Sequence, residues 1–465
     1  MKANDLKKTL FVRVLFLFGL LFLFSAQLLA GWEQVPEILS RIKAPEFPDR
    51  DFNIADYNAV GDGRTDCTEA FEKAISAANQ SRGGKVIVPK GEFLTGAIHL
   101  KSNVNLYVSK DAVIKFYTDP NKYLPAVFTR WEGVECYNYS PLIYAYEQEN
   151  IAITGEGTLD GQASDENWWE WKTTQRNDRD MLFMQGEKGV PVEQRLFGGK
   201  LLRPSMIQPY KCKNILIKGV TIKNSPFWHI HPVLSENISV KNVTVIGDGP
   251  NNDGCNPESC RDVLIKGCFF DTGDDCIAIK SGRNNDGRRL SVPTENVIIQ
   301  YCRMKDGHGG VVIGSEMSGG VRNVFAENCT MDSPNLDRAI RIKTNAVRGG
   351  FVENVYVRNI AVGQVKEAVL RINFFYEEGD SGDFTPAVRN INLENITSQK
   401  SMYGLYLKGY ERSPITDVTL KNCVFNNVEK NNIISNVKNL MLENVKINNK
   451  LMDNLSEIDK PQDLN

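Results

Sequence analysis

One short pattern of polar and apolar positions recurs along the chain. An Asn or Asp is followed by an aliphatic residue, a free position, an aliphatic or aromatic residue and another free position. A small turn residue and a further apolar residue close the unit. The leading residue is Asn214, Asn237, Asp262, Asn296, Asn323, Asn354, Asn390, Asp417 and Asn439, at gaps of 23, 25, 34, 27, 31, 36, 27 and 22 residues. Gaps of this size mark stacked structural units. Asn103 and Asn150 are earlier, less regular members.

Five residues after each leader stands Gly219, Asn242, Gly267, Tyr301, Asn328, Asn359, Asn395, Asn422 or Asn444. Eight of these nine are Asn or Gly, the residues that best tolerate a left-handed backbone. The next position holds Val220, Val243, Cys268, Cys302, Cys329, Ile360, Ile396, Cys423 or Val445. A short strand therefore runs into a one-residue bend, and a second strand opens with an inward apolar side chain. The pattern predicts an all-β fold: a single right-handed parallel β-helix over residues 51–449, its coils stacked at about 4.8 Å. A sandwich would show no common offset, and the short β-branched runs argue against a helical solenoid.

A solenoid needs covered ends. Phe52 to Tyr57 reads as a strand. A short N-terminal capping helix follows, with Asp66 as its N-cap, Glu69 three positions on, and Phe71, Ala74, Ile75 and Ala78 on one face. Val86 to Val88 reads as the first coil strand. Residues 31–50 form a lead-in, and 450–465 a polar tail expected to fray. The 64 residues from Asn150 to Asn214 exceed one plain coil. That excursion carries Trp168, Trp169 and Trp171, which either wall a sugar site or pack a lid onto the barrel.

Residues 1–30 read as a secretory signal peptide. Lys2, Lys7, Lys8 and Arg13 precede an apolar run from Val14 to Phe24, with small residues at Ser25, Ala26 and Ala30. The run is shorter than the ~20 residues a membrane span needs. The expectation is a secreted or periplasmic protein without a membrane span in its mature form. Removing that segment takes away four Lys/Arg and one Asp, leaving 51 basic against 56 acidic residues, a net charge of −5. Such a balance does not suit a nucleic-acid binder. It leaves room for a local positive patch, and 280–343 supplies one, including Lys280, Arg283, Arg338, Arg341 and Lys343. Among ten cysteines, Cys268, Cys302, Cys329 and Cys423 share a column with Val and Ile and read as small buried residues. Cys255 and Cys260 are the better disulfide candidates.

The candidate chemistry lies between 251 and 343. Asn251, Asp253, Asp274, Asp275, His308, Arg341 and Lys343 are spaced by about one coil, 21 residues from Asp253 to Asp274 and 33 for each of the next two steps. Projected from one wall, they set two or three carboxylates beside a cationic pair. Cleavage of an acidic glycan needs that set: an acid, a base, and a holder for the sugar's own carboxylate. Asp pairs also serve as turn residues or Ca²⁺ ligands, but no His/Cys/Glu set has zinc-like spacing. His308 lies between glycines beside the acids, and His229 and His231 fall where they could line an edge.

Asn251-Asn252-Asp253, Gly273-Asp274-Asp275, Gly307-His308-Gly309 and Arg341-Ile342-Lys343 resemble, in order, the four signatures of glycoside hydrolase family 28, the polygalacturonases. The resemblance runs from about Phe52 to Val445. The segments 129–139 (Thr-Arg-Trp-Glu-Gly-Val-Glu-Cys-Tyr-Asn-Tyr) and 310–319 look like the bacterial and plant-type branch, which includes exo-polygalacturonases. The resemblance implies an inverting hydrolase of α-1,4-galacturonosyl linkages in pectin, with no metal or cofactor and polygalacturonate as substrate. It makes Asp274 the general acid, with Asp253 and Asp275 holding and deprotonating the attacking water. His308 would tune the acid, while Asn251, Arg341 and Lys343 would bind substrate. Inversion implies carboxyl groups about 6.5–9.5 Å apart. Asn252 departs from the family's usual Thr. Two rivals remain: a pectate or rhamnogalacturonan-type polysaccharide lyase, and a non-catalytic glycan-binding β-helix.

Overall fold

The structure, a computed structural model, describes residues 31–452. The expected signal peptide and most of the expected tail lie outside those residues. No helix among the described residues is long and apolar enough to cross a membrane.

Parallel strands wind into a right-handed β-helix. One apolar column passes unbroken through Ile151, Ile215, Ile238, Val263, Val297, Val324, Val355, Ile391, Val418 and Leu440, each in register with the next. Fully burying one such side chain contributes about 1.5–3 kcal/mol, so the stacking of coils is itself the core. A second column, from Ile222 through Val245, Phe270 and Met304 to Met331, follows the bend. The third wall is the six-stranded sheet Ile277–Ile279, Val311–Ile313, Arg338–Lys343, Ala368–Asn373, Tyr403–Lys408 and Ile433–Ser435. Isolated bridges at Ile230 and Cys255 continue it back to the strands Ile207–Tyr210 and Ile143–Tyr146. Its outward positions carry the functional side chains.

All nine predicted bend residues have φ between 52° and 82°, Tyr301 included. The leaders are left-handed as well, which the pattern did not predict. Their side chains form a hydrogen-bonded ladder: Asn214 donates to Asn150 at 2.8 Å, Asn237 to Asn214 at 2.6 Å and Asn390 to Asn354 at 2.7 Å. Each Asn exchanges an amide hydrogen bond with the coil beneath it, so the short polar side chain that tolerates the bend also links the stack. Asn103 and Asn150 belong to this ladder, with Asn150 donating to Asn103 at 2.9 Å. The strands Glu149–Gly155 and Lys213–Lys218 pair directly, so everything between is an excursion from a single coil.

Several expectations are corrected. Only Asp51–Asn53 is strand, and Ile54–Tyr57 turns into a 3-10 helix. The capping helix runs Thr68–Gln80 with Cys67, not Asp66, as its N-cap, although the Asp66 carboxylate accepts the Thr68 N–H at 2.9 Å from one position further back. Its apolar face of Phe71, Ala74, Ile75 and Ala78 is buried. The lead-in is not passive. It holds the helix Val35–Arg41, and Val35, Ile38 and the following Ile42 cover outward-facing Leu264, Ile298, Phe325 and Tyr356. Arg41 bonds Asp262 at 2.9 Å, tying this strap across several coils. At the other end, Lys450–Leu451 pairs antiparallel with Lys446–Ile447, folding the last described residues back on the final coil. Cys255 and Cys260 form no disulfide; all ten cysteines are buried free thiols. Cys260 Sγ instead contacts the carbonyl of Pro232 at 3.2 Å.

Candidate active site

Thr272 and Gly273 break the strand ahead of the two adjacent acids, and the Thr272 hydroxyl donates to the Asp274 carbonyl at 2.9 Å. A Cβ on Gly273 would lie 2.4 Å from the Gly249 carbonyl, so only glycine lets the loop of the coil below approach this closely. The bend turns Asp274 and Asp275 toward the same flank. Asp253 arrives from the preceding coil, and one carboxylate oxygen from each of the three acids lies within 4.8 Å of the others. The oxygens approach this closely because Asp253 sits one coil from Asp274 and Asp275.

Each acid has different partners. Asp275 is fully buried and holds Lys343 Nζ at 2.7 Å and Arg341 Nη1 at 3.2 Å. Asp253, 2% exposed, accepts from Asn256 at 2.8 Å and faces Lys280 Nζ at 3.6 Å. Burial and the facing Asp274 carboxylate push Asp253 well above the ordinary carboxyl range, against the pull of Lys280. Asp274 Oδ1 meets His308 Nδ1 at 2.9 Å. Burial alone would raise Asp274, but the hydrogen bond and charge of His308, joined by Lys343 and Lys280, hold it well below the ordinary range. The same bond raises His308.

Below its raised pKa, His308 therefore stores a proton one hydrogen bond from the acid. That proton can pass to Asp274 as a leaving oxygen becomes basic, and it is lost as pH rises through the His308 pKa. The alkaline limb of kcat/KM is expected above the ordinary histidine value of about 6.5. His308→Gln should remove this limb and lower the rate about 10²-fold or more. A pH profile unchanged by the substitution would exclude the role.

Arg341 and Lys343 face one way from one strand, as their spacing predicts. Both are nearly buried on Asp275, yet Arg341 Nε has no partner, and both cations line the cavity beneath the ring of Tyr376. Guanidinium has five donors, so a substrate carboxylate can be bound without releasing Asp275. Asn251 also lines the cavity, its Oδ1 accepting from Lys172 at 3.0 Å and Arg203 at 2.8 Å. Asn252 points inward instead, donating to the carbonyls of Ser225 and Phe227 at 2.9 and 3.0 Å. His229 and His231 do not line the site. Both are fully buried, His231 on Glu258 at 2.7 Å. Trp168 is buried against Tyr123 and Trp171, so it packs the excursion rather than walling the cleft.

Several lining groups escaped the sequence reading. In the sequence Lys280 and Arg283 stand out only as two cations of a basic stretch. Lys280 sits 4.5 Å over the Trp228 ring and 3.0 Å from Glu316. Arg283 spans Glu132, Glu316 and Glu377 at 3.8, 3.4 and 3.6 Å. Lys280 bridges in register to Glu258 of the preceding coil, whereas Arg283 and Glu316 stand outside the strands, so no spacing signals their pairing. The cavity, about 200 Å³, is lined by Lys280 and by the three glutamates that Arg283 pairs with. His308 also borders a more open cleft of about 620 Å³ lined by Asp248, Asp271, Lys305 and Asp337.

The three Asp could in principle ligate a cation. Lys280, Arg341 and Lys343 already stand against them, however, so the charge demand that recruits a divalent ion is met from within the chain.

A sequence profile described as "Glycosyl hydrolases family 28" matches residues 194–448, and one described as "Rhamnogalacturonase A/epimerase, pectate lyase-like" matches 52–115. A "Probable polygalacturonase" of Vitis vinifera is 32% identical over 393 residues, covering 80% of this chain and 73% of its own length. An "Exo-poly-alpha-D-galacturonosidase" of Dickeya chrysanthemi is 27% identical, covering 75% and 62%. Among solved structures, a hyperthermoactive exopolygalacturonase from Thermotoga maritima superposes with a TM-score of 0.88 at 45% identity, covering 90% of this chain and 96% of that one.

Proposed function

Because the chain belongs to family 28 of the glycosyl hydrolases, we propose that it is an exported hydrolase that cleaves α-1,4-galacturonosyl linkages of pectin from chain ends. The observation that carries this reading is the convergence of Asp253, Asp274 and Asp275 within 4.8 Å, beside Arg341 and Lys343. Asp274 protonates the glycosidic oxygen and takes its proton through His308. Asp253 and Asp275 hold the water, and Asp275, the carboxylate paired with Arg341 and Lys343, takes its proton. Arg341 and Lys343 pair with a uronate carboxylate, the one anionic group that recurs on every sugar of the polymer.

Inversion follows from what each acid has left to offer. Asp275 is tied by two cations and Asp253 by Asn256 and Lys280, which suits holding a water between them. A lyase would require calcium, and the cations placed on the acids leave that ion little to neutralise.

Attack at chain ends is supported by the wall over one end of the cavity. The hairpin Val127–Trp131 and Val134–Asn138 packs with the helix Arg176–Glu187 around a separate small core of Trp131, Val134, Leu182, Phe197 and Phe227. The similar Thermotoga and Dickeya proteins are exo-acting by name. With tetragalacturonate and polygalacturonate, a single small product should accumulate from the first turnover, with little early loss of viscosity. A ladder of intermediate oligomers would instead indicate internal cleavage.

A further inference from the structure

The segment 129–139 forms a hairpin whose two-residue turn is Glu132–Gly133, with φ of 40° and 83°. Both central residues are left-handed, as in a type I′ turn, where Asn-Gly or Asp-Gly is the usual pair. Glu at the first position is a poor choice for the turn, since its Cβ meets the steric penalty of that region. Strain of this kind persists where the side chain is needed elsewhere.

The Glu132 carboxylate points into the cavity shared with Asp253, Asp274 and Lys343. Its side chain is 13% exposed, and its nearest cation, Arg283, stands 3.8 Å away, beyond hydrogen-bond distance. Burial raises its pKa. The tip cannot swing aside. Gly133 receives a hydrogen bond from the Arg283 N–H at 3.0 Å, and a Cβ on Gly133 would stand 2.6 Å from that nitrogen. Below the tip, buried Arg130 holds Glu258 at 3.3 Å and Ser259 at 3.2 Å. The Glu135 N–H donates to Asp286 at 2.8 Å.

A rigid carboxylate with free acceptor capacity is misplaced for binding a uronate's carboxylate, which it repels. It suits a sugar hydroxyl. In a 1,4-linked chain, the nonreducing terminus alone carries a free 4-hydroxyl, of fixed stereochemistry, whereas the reducing end is a mixture of anomers. We propose that Glu132 accepts a hydrogen bond from the free 4-hydroxyl of the nonreducing-end uronide and so makes the cavity specific for that terminus. An interior residue would bring an ether oxygen and a further sugar to the same spot, meeting an acceptor with no donor to offer. This rests on the chain-end reading above.

The test compares three trisaccharides: saturated trigalacturonate, the lyase-generated trimer whose nonreducing sugar is 4,5-unsaturated and lacks the 4-hydroxyl, and the trimer reduced to an alditol at its other end. The wild type should cleave the saturated and alditol trimers with similar kcat/KM and the unsaturated trimer about 10- to 100-fold more slowly, the worth of one hydrogen bond to a charged group. Glu132→Gly, which suits the left-handed turn and removes the acceptor altogether, should keep Tm while collapsing that ratio toward one. Glu132→Ala should collapse it too. An undiminished ratio in both variants overturns the assignment, as does a wild type that discriminates against the alditol rather than the unsaturated trimer. Interior cleavage of polygalacturonate by the wild type would instead remove the chain-end reading itself.

Discussion

Asp274→Asn is expected to lower kcat about 10²- to 10⁴-fold on oligogalacturonates, with KM changed little. The amide keeps the shape of the carboxylate but cannot carry the proton that His308 supplies, and Arg341 and Lys343 keep their hold on Asp275. Steady-state kinetics with isothermal binding of an oligogalacturonate separate the two effects. A loss below tenfold would remove Asp274 from proton transfer. A loss of binding equal to the loss of rate would make it a holder of substrate, not an acid. The distinction matters because a non-catalytic glycan binder would show no rate to lose.

A second large effect lies away from the chemistry. Arg130 is fully buried between Glu258 and Glu135, with Ser259 as a hydrogen-bond partner. Glu258 also holds His231, which burial keeps below its ordinary pKa and therefore neutral. Glu135 in turn holds Arg289 at 2.6 Å and accepts the Tyr210 hydroxyl. Removing one partner of such a group strands a buried charge, so Arg130→Ala should cost about 3–5 kcal/mol in denaturant unfolding. A cost under about 1 kcal/mol would mean the network does not hold the hairpin. The network joins the hairpin to the third wall through Glu258, whose coil neighbour is Lys280 of the site. Damage to it should therefore reach the cavity as well as the fold.

The barrel was legible because its rule is local and repeated. Each coil must turn twice with an Asn, Asp or Gly near fixed apolar positions, so the column from Asn214 to Asn439 exposes the architecture. The acids were legible for a related reason: register converts spacing along the chain into height along the stack. Spacing does not convey which oxygens of neighbouring coils face one another, or what else stands against them. Groups whose partners lie far off in sequence left no trace. Arg130 meets Glu258 across 128 positions, and the helix Val35–Arg41 covers Tyr356 from the far end of the chain. Neither contact imposes a pattern on its own segment. Glu132 was visible only as one letter of a family-like motif until the turn geometry showed how ill-suited it is to that turn.

The most direct test of three acids working around one water is proton NMR of tetragalacturonate hydrolysis, followed from the first turnovers in the presence of a chelator. The arrangement predicts a saturated product whose new hemiacetal appears first as the β-anomer and only later mutarotates, with full activity retained. An α-anomer at the outset, an unsaturated uronide, or activity restored only by calcium would contradict it.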